Sequence, residues 1–169
     1  MATIRELVAS DLPKLAAVTD AGPAWHGAWD HWRTTYLPEH EGGARVVFVA
    51  EAERGLVGYV SLVWRSQYPP FAADDTPDVS DMVVVEGLRG GGIGGALIGA
   101  CEARARAAGK RQLGIGFGLY ADYGRAQRLY VRRGFVPDGR GVTYDNKPVQ
   151  PGAHYRVDDD LVLWLAKPL

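Results

Sequence analysis

The run Leu88-Arg89-Gly90-Gly91-Gly92-Ile93-Gly94-Gly95-Ala96-Leu97 constrains this chain more than any other segment. Glycine tolerates turns that other residues avoid, and backbone without side chains can come close to a ligand. A β-rich stretch, 78–85, leads into the run, and an apolar-periodic stretch, 93–108, leaves it. The chain therefore has to build a strand–loop–helix unit around these glycines. The start of a helix carries unpaired N–H groups and the positive end of the helix dipole, which suits a phosphate or diphosphate. Arg89 adds a permanent positive charge at the mouth of this cradle.

Spacing narrows the choice of diphosphate. Arg89, Gly92 and Gly94 form Arg-x-x-Gly-x-Gly, which resembles the acyl-CoA pyrophosphate loop of the GNAT superfamily of N-acyltransferases. Gly90, Gly92 and Gly95 also satisfy the dinucleotide pattern Gly-x-Gly-x-x-Gly. That pattern wants a carboxylate about twenty residues further on for the ribose hydroxyls. The stretch there is Gly109-Lys110-Arg111-Gln112, and the next acid is Asp122. A nucleotide P-loop would need a hydroxyl after Gly109-Lys110, where Arg111 stands. Close packing of the helix on its neighbours is the structural alternative for the glycines.

With 169 residues, 47% of them hydrophobic and 23% charged, the chain reads as one globular domain, 1–169. No apolar run reaches the length of a membrane span, and the N-terminus lacks the shape of a signal peptide, so a cytoplasmic, membrane-free protein is expected. Cys101 is the only cysteine and lies on an apolar helix side, where packing is its expected role. Disulfides and a cysteine metal site are excluded, and the histidines show no ligand spacing, so no metal is expected. A net charge of −1 gives no reason to expect nucleic acid. Its distribution is uneven: 104–133 holds eight Lys or Arg against Asp122, whereas 66–88 holds five acids and no base. The basic side suits a phosphate-rich cofactor and the acidic side a cationic acceptor, although each residue alone reads as a solvated surface charge.

Periodicity predicts a strand over 2–7, a helix capped by Ser10 or Asp11 and running to about Thr19, and a helix over 25–36. Strands over 46–52 and 56–64 join at Glu53-Arg54-Gly55. After the strand over 78–85 and the helix over 93–108 come a strand over 112–119 and a helix over 123–133. A strand starting at Phe135 is interrupted by Pro137-Asp138-Gly139, and 161–166 closes the sheet. On the helix over 93–108, Glu102 and Arg106 read as an outward-facing i,i+4 pair. The order implies an α+β sandwich with a mixed, mostly antiparallel sheet of about seven strands and about four flanking helices.

A second segment carries the same resemblance. Ala126-x-x-Leu129-Tyr130 followed by Gly134-Phe135 is similar to the GNAT helix after the fifth strand. The resemblance implies acetyl-CoA as acyl donor and an N-acetyltransferase acting directly in a ternary complex. It also implies Tyr130 as the acid that protonates the leaving thiolate. A phenol with a pKa near 10 stays protonated at neutral pH and can donate to a thiolate whose thiol lies near 8.5. Tyr130 equally fits the apolar face of its helix. Tyr123 stands where the family often has an Asn that contacts the pantetheine arm.

Removing the amine proton calls for a base, and Asp78 and Asp81 lie in the strand the family uses for it. Their odd separation predicts opposite faces, so only one looks into the site; Asp78 is narrowly preferred. Backbone groups of Met82, Val83 and Val84 are expected to pair with the pantetheine amides, and the amides of Gly90, Gly91, Gly92, Ile93, Gly94 and Gly95 to take the pyrophosphate. Lys110, Arg125 and Arg128 are candidates for the 3′-phosphate. Trp25, Trp29 and Trp32 form one helical stripe, read as core or as an aromatic wall beside the acceptor. Asp158-Asp159-Asp160 can flank that pocket or break a strand edge, and the apolar strand 161–165 offers an edge on which two copies could pair as a homodimer. The expected function is acetyl transfer to a primary amine of a small molecule or peptide. The rivals are a non-catalytic acyl-CoA-binding domain of the same fold and a dinucleotide-binding oxidoreductase.

Overall fold

The computed structural model describes residues 2–19 and 28–169. Its eight strands, mostly antiparallel and flanked by helices, give the α+β architecture expected. The chain divides into two compact units, residues 1–63 with 79–104 and residues 64–78 with 105–169.

In the first unit, β1 (Thr3–Glu6), β2 (Arg45–Ala52), β3 (Gly55–Val63) and β4 (Asp78–Val84, in this unit from Val79) follow one another in that spatial order. β2 and β3 form the expected hairpin, with Ala52 opposite Gly55 and Glu53-Arg54 at the tip. Val47 faces Ser61 and Val49 faces Tyr59, so Arg45, Val47 and Val49 share one sheet face with Tyr59 and Ser61. Helix α1 (Leu12–Thr19) covers that face with Leu15 and Val18.

The helix expected over 25–36 is more broken. Its described part is α2 (Ala28–His31), a widened π-turn over 32–36, and α3 (Leu37–Glu41). Pro38 explains the widening, because it has no N–H to donate to the preceding turn. Leu37 N–H instead reaches five residues back to the Trp32 carbonyl. Trp32 is buried and meets Tyr36 and Tyr59 edge-on, so this part of the tryptophan stripe is core. Trp25 and the side chain of Trp29 lie outside the described residues.

Asp11 does not act as a simple helix cap. Its buried carboxylate turns back to accept Arg5 Nη1 at 2.6 Å, Arg5 Nη2 at 2.8 Å and Val8 N–H at 3.0 Å, while Arg5 Nε donates to Glu51. These contacts, led by the Arg5 hydrogen bonds, hold the Asp11 carboxyl below its ordinary range. A depressed carboxylate pKa stabilises the fold above the unfolded value near 3.9, and that contribution disappears as pH falls through the folded value. Asp11→Asn is therefore expected to cost about 2 kcal/mol at neutral pH. In urea titrations, the gap from the parent should close on acidification below about pH 4; a pH-independent gap would refute the ion-pair account.

Helix α5 (Ile93–Ala107) begins in this unit and buries Leu97, Ile98 and Cys101. Burial pushes the Cys101 thiol up to about 12, consistent with packing and not with nucleophilic chemistry. Glu102 is buried as well, which corrects the outward-facing pair expected with Arg106.

The second unit holds α4 (Pro69–Ala73), β5 (Gln112–Gly118), α6 (Gly124–Arg132), β6 (Val136–Tyr144), β7 (Lys147–Pro148) and β8 (Leu161–Pro168). Its strand order is β5-β8-β6-β7. β8 pairs antiparallel with β5 on one side and β6 on the other, so the apolar closing strand has no free edge for a second copy. The stretch read as an interruption after Pro137 is a bulge inside β6, where the register slips between Pro137 and Val142.

Helix α4 has no counterpart among the sequence expectations. It opens on Pro69-Pro70, positions where a missing N–H costs nothing, and buries Phe71. Phe71 and Tyr68 pack around Trp164, with Tyr68 stacked on it at 4.5 Å. Alternate residues Gly114, Gly116 and Gly118 of β5 make room for rings, those of Phe71, Trp164 and Tyr123 respectively.

Candidate active site

Glycines 90 and 92 adopt φ of 90° and 86°, left-handed angles that an L side chain resists, and this turns the chain from β4 into α5. The first helical bond runs from Ala96 N–H to the Gly92 carbonyl at 3.0 Å. The preceding amides, through Ile93, Gly94 and Gly95, therefore lie in the unpaired first turn. Residues 86–92 are exposed, and 93–95 are half-buried. Arg89 folds back so that Nε donates to the Val84 carbonyl at 2.9 Å, which braces the loop against the end of β4. Its two terminal nitrogens remain beyond that brace. The Val84 carbonyl is thus already engaged by Arg89, while Met82 and Val83 are half-buried. A loop with two left-handed glycines, a helix start and an arginine fits a diphosphate.

Asp81 has φ of 54° inside a strand. Aspartate tolerates this region better than most residues, but a left-handed residue breaks the two-residue alternation of the pleat. Counting residues from Asp78 therefore does not assign faces at Asp81. The Asp81 carboxylate meets the face built by β2, β3 and the helices. Arg45 Nη1 lies 3.5 Å from Asp81 Oδ2 and 3.2 Å from Ser61 Oγ. Arg45 Nε and Nη2 both lie 2.6 Å from Glu39 Oε2, and the guanidinium sits 4.2 Å over the Tyr36 ring. Burial, then the charge and hydrogen bond of Asp81, push the Tyr36 phenol well above its ordinary value; burial and Asp81 do the same to Tyr59. Both phenols stay protonated throughout the working pH range and are able to donate a hydrogen bond.

The other candidates belong to the second unit. Asp78, the preferred base in the sequence, is buried. Tyr130 of α6 is 5% exposed, its ring among Phe117 and Phe135. Burial raises its phenol well above the usual range, so it is protonated at every physiological pH. Tyr123 packs over Gly118 and donates its hydroxyl to Asp159 at 2.8 Å; Tyr120 donates to the same carboxylate oxygen. Asp159 therefore ties the segment before β8 to the turn before α6. Lys110 is committed to Asp75 at 2.6 Å, while Arg125 and Arg128 are exposed.

Sequence reasoning missed Tyr36, Arg45 and Tyr59. The available signal was Arg45, a charge just before the apolar run 46–50, but only the hairpin register and the left-handed turn at Asp81 bring the group together. Among the described residues, no group of three or more His, Cys, Asp or Glu is placed to hold a metal ion, and no helix is long and apolar enough to cross a membrane.

A family model for an acetyltransferase (GNAT) domain matches residues 43–137, more than half of the chain. No curated protein matches it in sequence. Among solved structures, a ribosomal-protein-alanine N-acetyltransferase from Brucella melitensis is 24% identical, with 99% of each chain covered and a TM-score of 0.72. An N-acetyltransferase from Staphylococcus aureus is 21% identical at TM-score 0.72, covering 99% of this chain and 98% of its own. A Salmonella typhimurium protein assigned as an acetyltransferase, solved with acetyl-CoA, is 18% identical at TM-score 0.71, covering 99% of this chain and 94% of its own. At these identities the likeness establishes the fold. The family match over the glycine loop and the Leu-Tyr/Gly-Phe helix goes further: the chain belongs to the GNAT acetyltransferase family.

Proposed function

We propose that the chain transfers an acetyl group from acetyl-CoA to a primary amine of a small molecule or peptide, directly and in the cytoplasm. The observation that carries the reading is the glycine loop, whose left-handed Gly90 and Gly92 aim the first turn of α5 outward beside Arg89. Those amides and the terminal nitrogens of Arg89 take the pyrophosphate, and the backbone of Met82 and Val83 takes the pantetheine amides. The Salmonella neighbour solved with acetyl-CoA supports this choice of donor, and the Brucella neighbour's name supports a peptide amine among the acceptors.

In the reaction, the amine nitrogen forms a bond to the thioester carbon and the carbon–sulfur bond breaks. Asp81 receives the amine proton, directly or through water, and the hydroxyl of Tyr130, the expected acid, donates a hydrogen bond to the leaving thiolate, which takes its proton from water. Asp81 replaces Asp78 as the preferred base because it is the partly exposed carboxylate, held beside two phenols, whereas Asp78 is buried. The acidic stretch 74–86 favours a cationic acceptor.

Calorimetric titration with acetyl-CoA, with NADH and NADPH as comparators, tests the donor. Gly92→Val forces a branched side chain into a left-handed turn and is expected to weaken acetyl-CoA binding about tenfold or more. A response to NADH and none to acetyl-CoA would overturn the reading. Release of CoA thiol with a panel of primary amines then separates an enzyme from a domain that only binds acyl-CoA.

A further inference from the structure

Asp81 needs support from its surroundings, since a non-glycine residue in the left-handed region stores strain of about 1 kcal/mol or more. The support has a particular shape. Arg45 opens β2 on the face that Ser61 and Tyr59 share, and its side chain is only 11% exposed. Glu39 of α3 holds two of its nitrogens at 2.6 Å, whereas Asp81 lies at 3.5 Å from the third. The guanidinium face lies 4.2 Å over the ring of Tyr36. Arg45 is therefore anchored by Glu39 and only leans toward Asp81. An arginine in tight bidentate contact would neutralise the carboxylate and occupy its oxygens. A guanidinium held back by a second carboxylate orients Asp81 and leaves it able to accept a proton. Two carboxylates against one guanidinium leave one negative charge, which a single ammonium balances.

We propose that Arg45, held by Glu39, is the positioning residue of the amine-acceptor end: it fixes the direction of Asp81 without consuming it, and the group takes a primary amine bearing one positive charge. This rests on the acetyltransferase reading, in which Asp81 receives the amine proton.

The test uses the full chain, acetyl-CoA and a panel of monocationic primary amines, with CoA thiol release as the assay and calorimetry for acetyl-CoA affinity. Arg45→Ala is expected to lower kcat about ten- to a hundredfold while acetyl-CoA affinity stays unchanged. Millimolar guanidinium chloride should recover part of the rate in Arg45→Ala and none in the parent, a response that general loss of structure would not show. Glu39→Gln, a milder change should Arg45→Ala fail to fold, is expected to lower kcat with acetyl-CoA affinity again unchanged, because the released guanidinium closes on Asp81. Unchanged kcat in Arg45→Ala or Glu39→Gln, beside a loss in Asp81→Asn, would overturn the role of Arg45 and leave the base in place. Unchanged kcat in Asp81→Asn would overturn the base assignment, and this proposal with it. Acetyl-CoA binding without turnover of any amine would overturn the acceptor reading and the proposal together.

Discussion

Tyr130→Phe is expected to lower kcat about a hundredfold and leave acetyl-CoA affinity unchanged. The substitution keeps the ring, so the packing against Phe117 and Phe135 survives and the measurement isolates the hydroxyl. Burial raises the Tyr130 phenol well above its ordinary value near 10, so the parent should lose no activity through its ionisation up to about pH 10. The same shift weakens Tyr130 as a full proton donor. Its contribution then lies in a hydrogen bond that strengthens as charge develops on sulfur, a term that grows in a dry surrounding. Rates measured from neutral to alkaline pH decide the matter. If Tyr130→Phe turns over as fast as the parent at both ends of that range, the hydroxyl has no part in the reaction.

Features written into single positions or short windows were legible before the fold was known. Gly90 and Gly92 take the left-handed angles that their density around Arg89 suggested, and the Leu129-Tyr130 and Gly134-Phe135 pairs sit on and just after the expected helix. Features made by tertiary pairing were not legible. Asp81 carries the decisive turn of β4 without a glycine to mark it, so the alternation that put Asp78 and Asp81 on opposite faces does not carry through that residue. Arg45 and Tyr59 meet through the β2/β3 register, with Tyr36 contributed by a helix whose path depends on Pro38. The closing strand looked like an edge because its composition is apolar, yet that composition reflects a place between β5 and β6. Glu102 shows the opposite case, a charged residue at an apparently outward position that the fold buries.

The glycines of β5 were read only as part of a strand, and they lead to the largest stability effect expected in the chain. A Cβ at Gly114 would stand 2.1 Å from Cε2 and 2.5 Å from Cδ2 of Phe71. Phe71 is buried in an edge-to-face group with Tyr68 and Trp164, so its ring cannot move aside without opening that group. Gly114→Ala should destabilise by about 3 kcal/mol, between the cost of overpacking and that of expelling a buried phenylalanine. For a chain of this size, the melting midpoint should fall by about 6–12 °C. Strand propensity alone predicts the opposite sign, because alanine is less costly than glycine within a strand. The double variant Gly114→Ala/Phe71→Ala separates the explanations. If the clash is the cause, the added methyl group costs nothing once the ring is gone, and the two single effects together exceed the double by at least about 1 kcal/mol. Strict additivity in denaturant titrations would show that Gly114 matters for another reason than the ring lying on it.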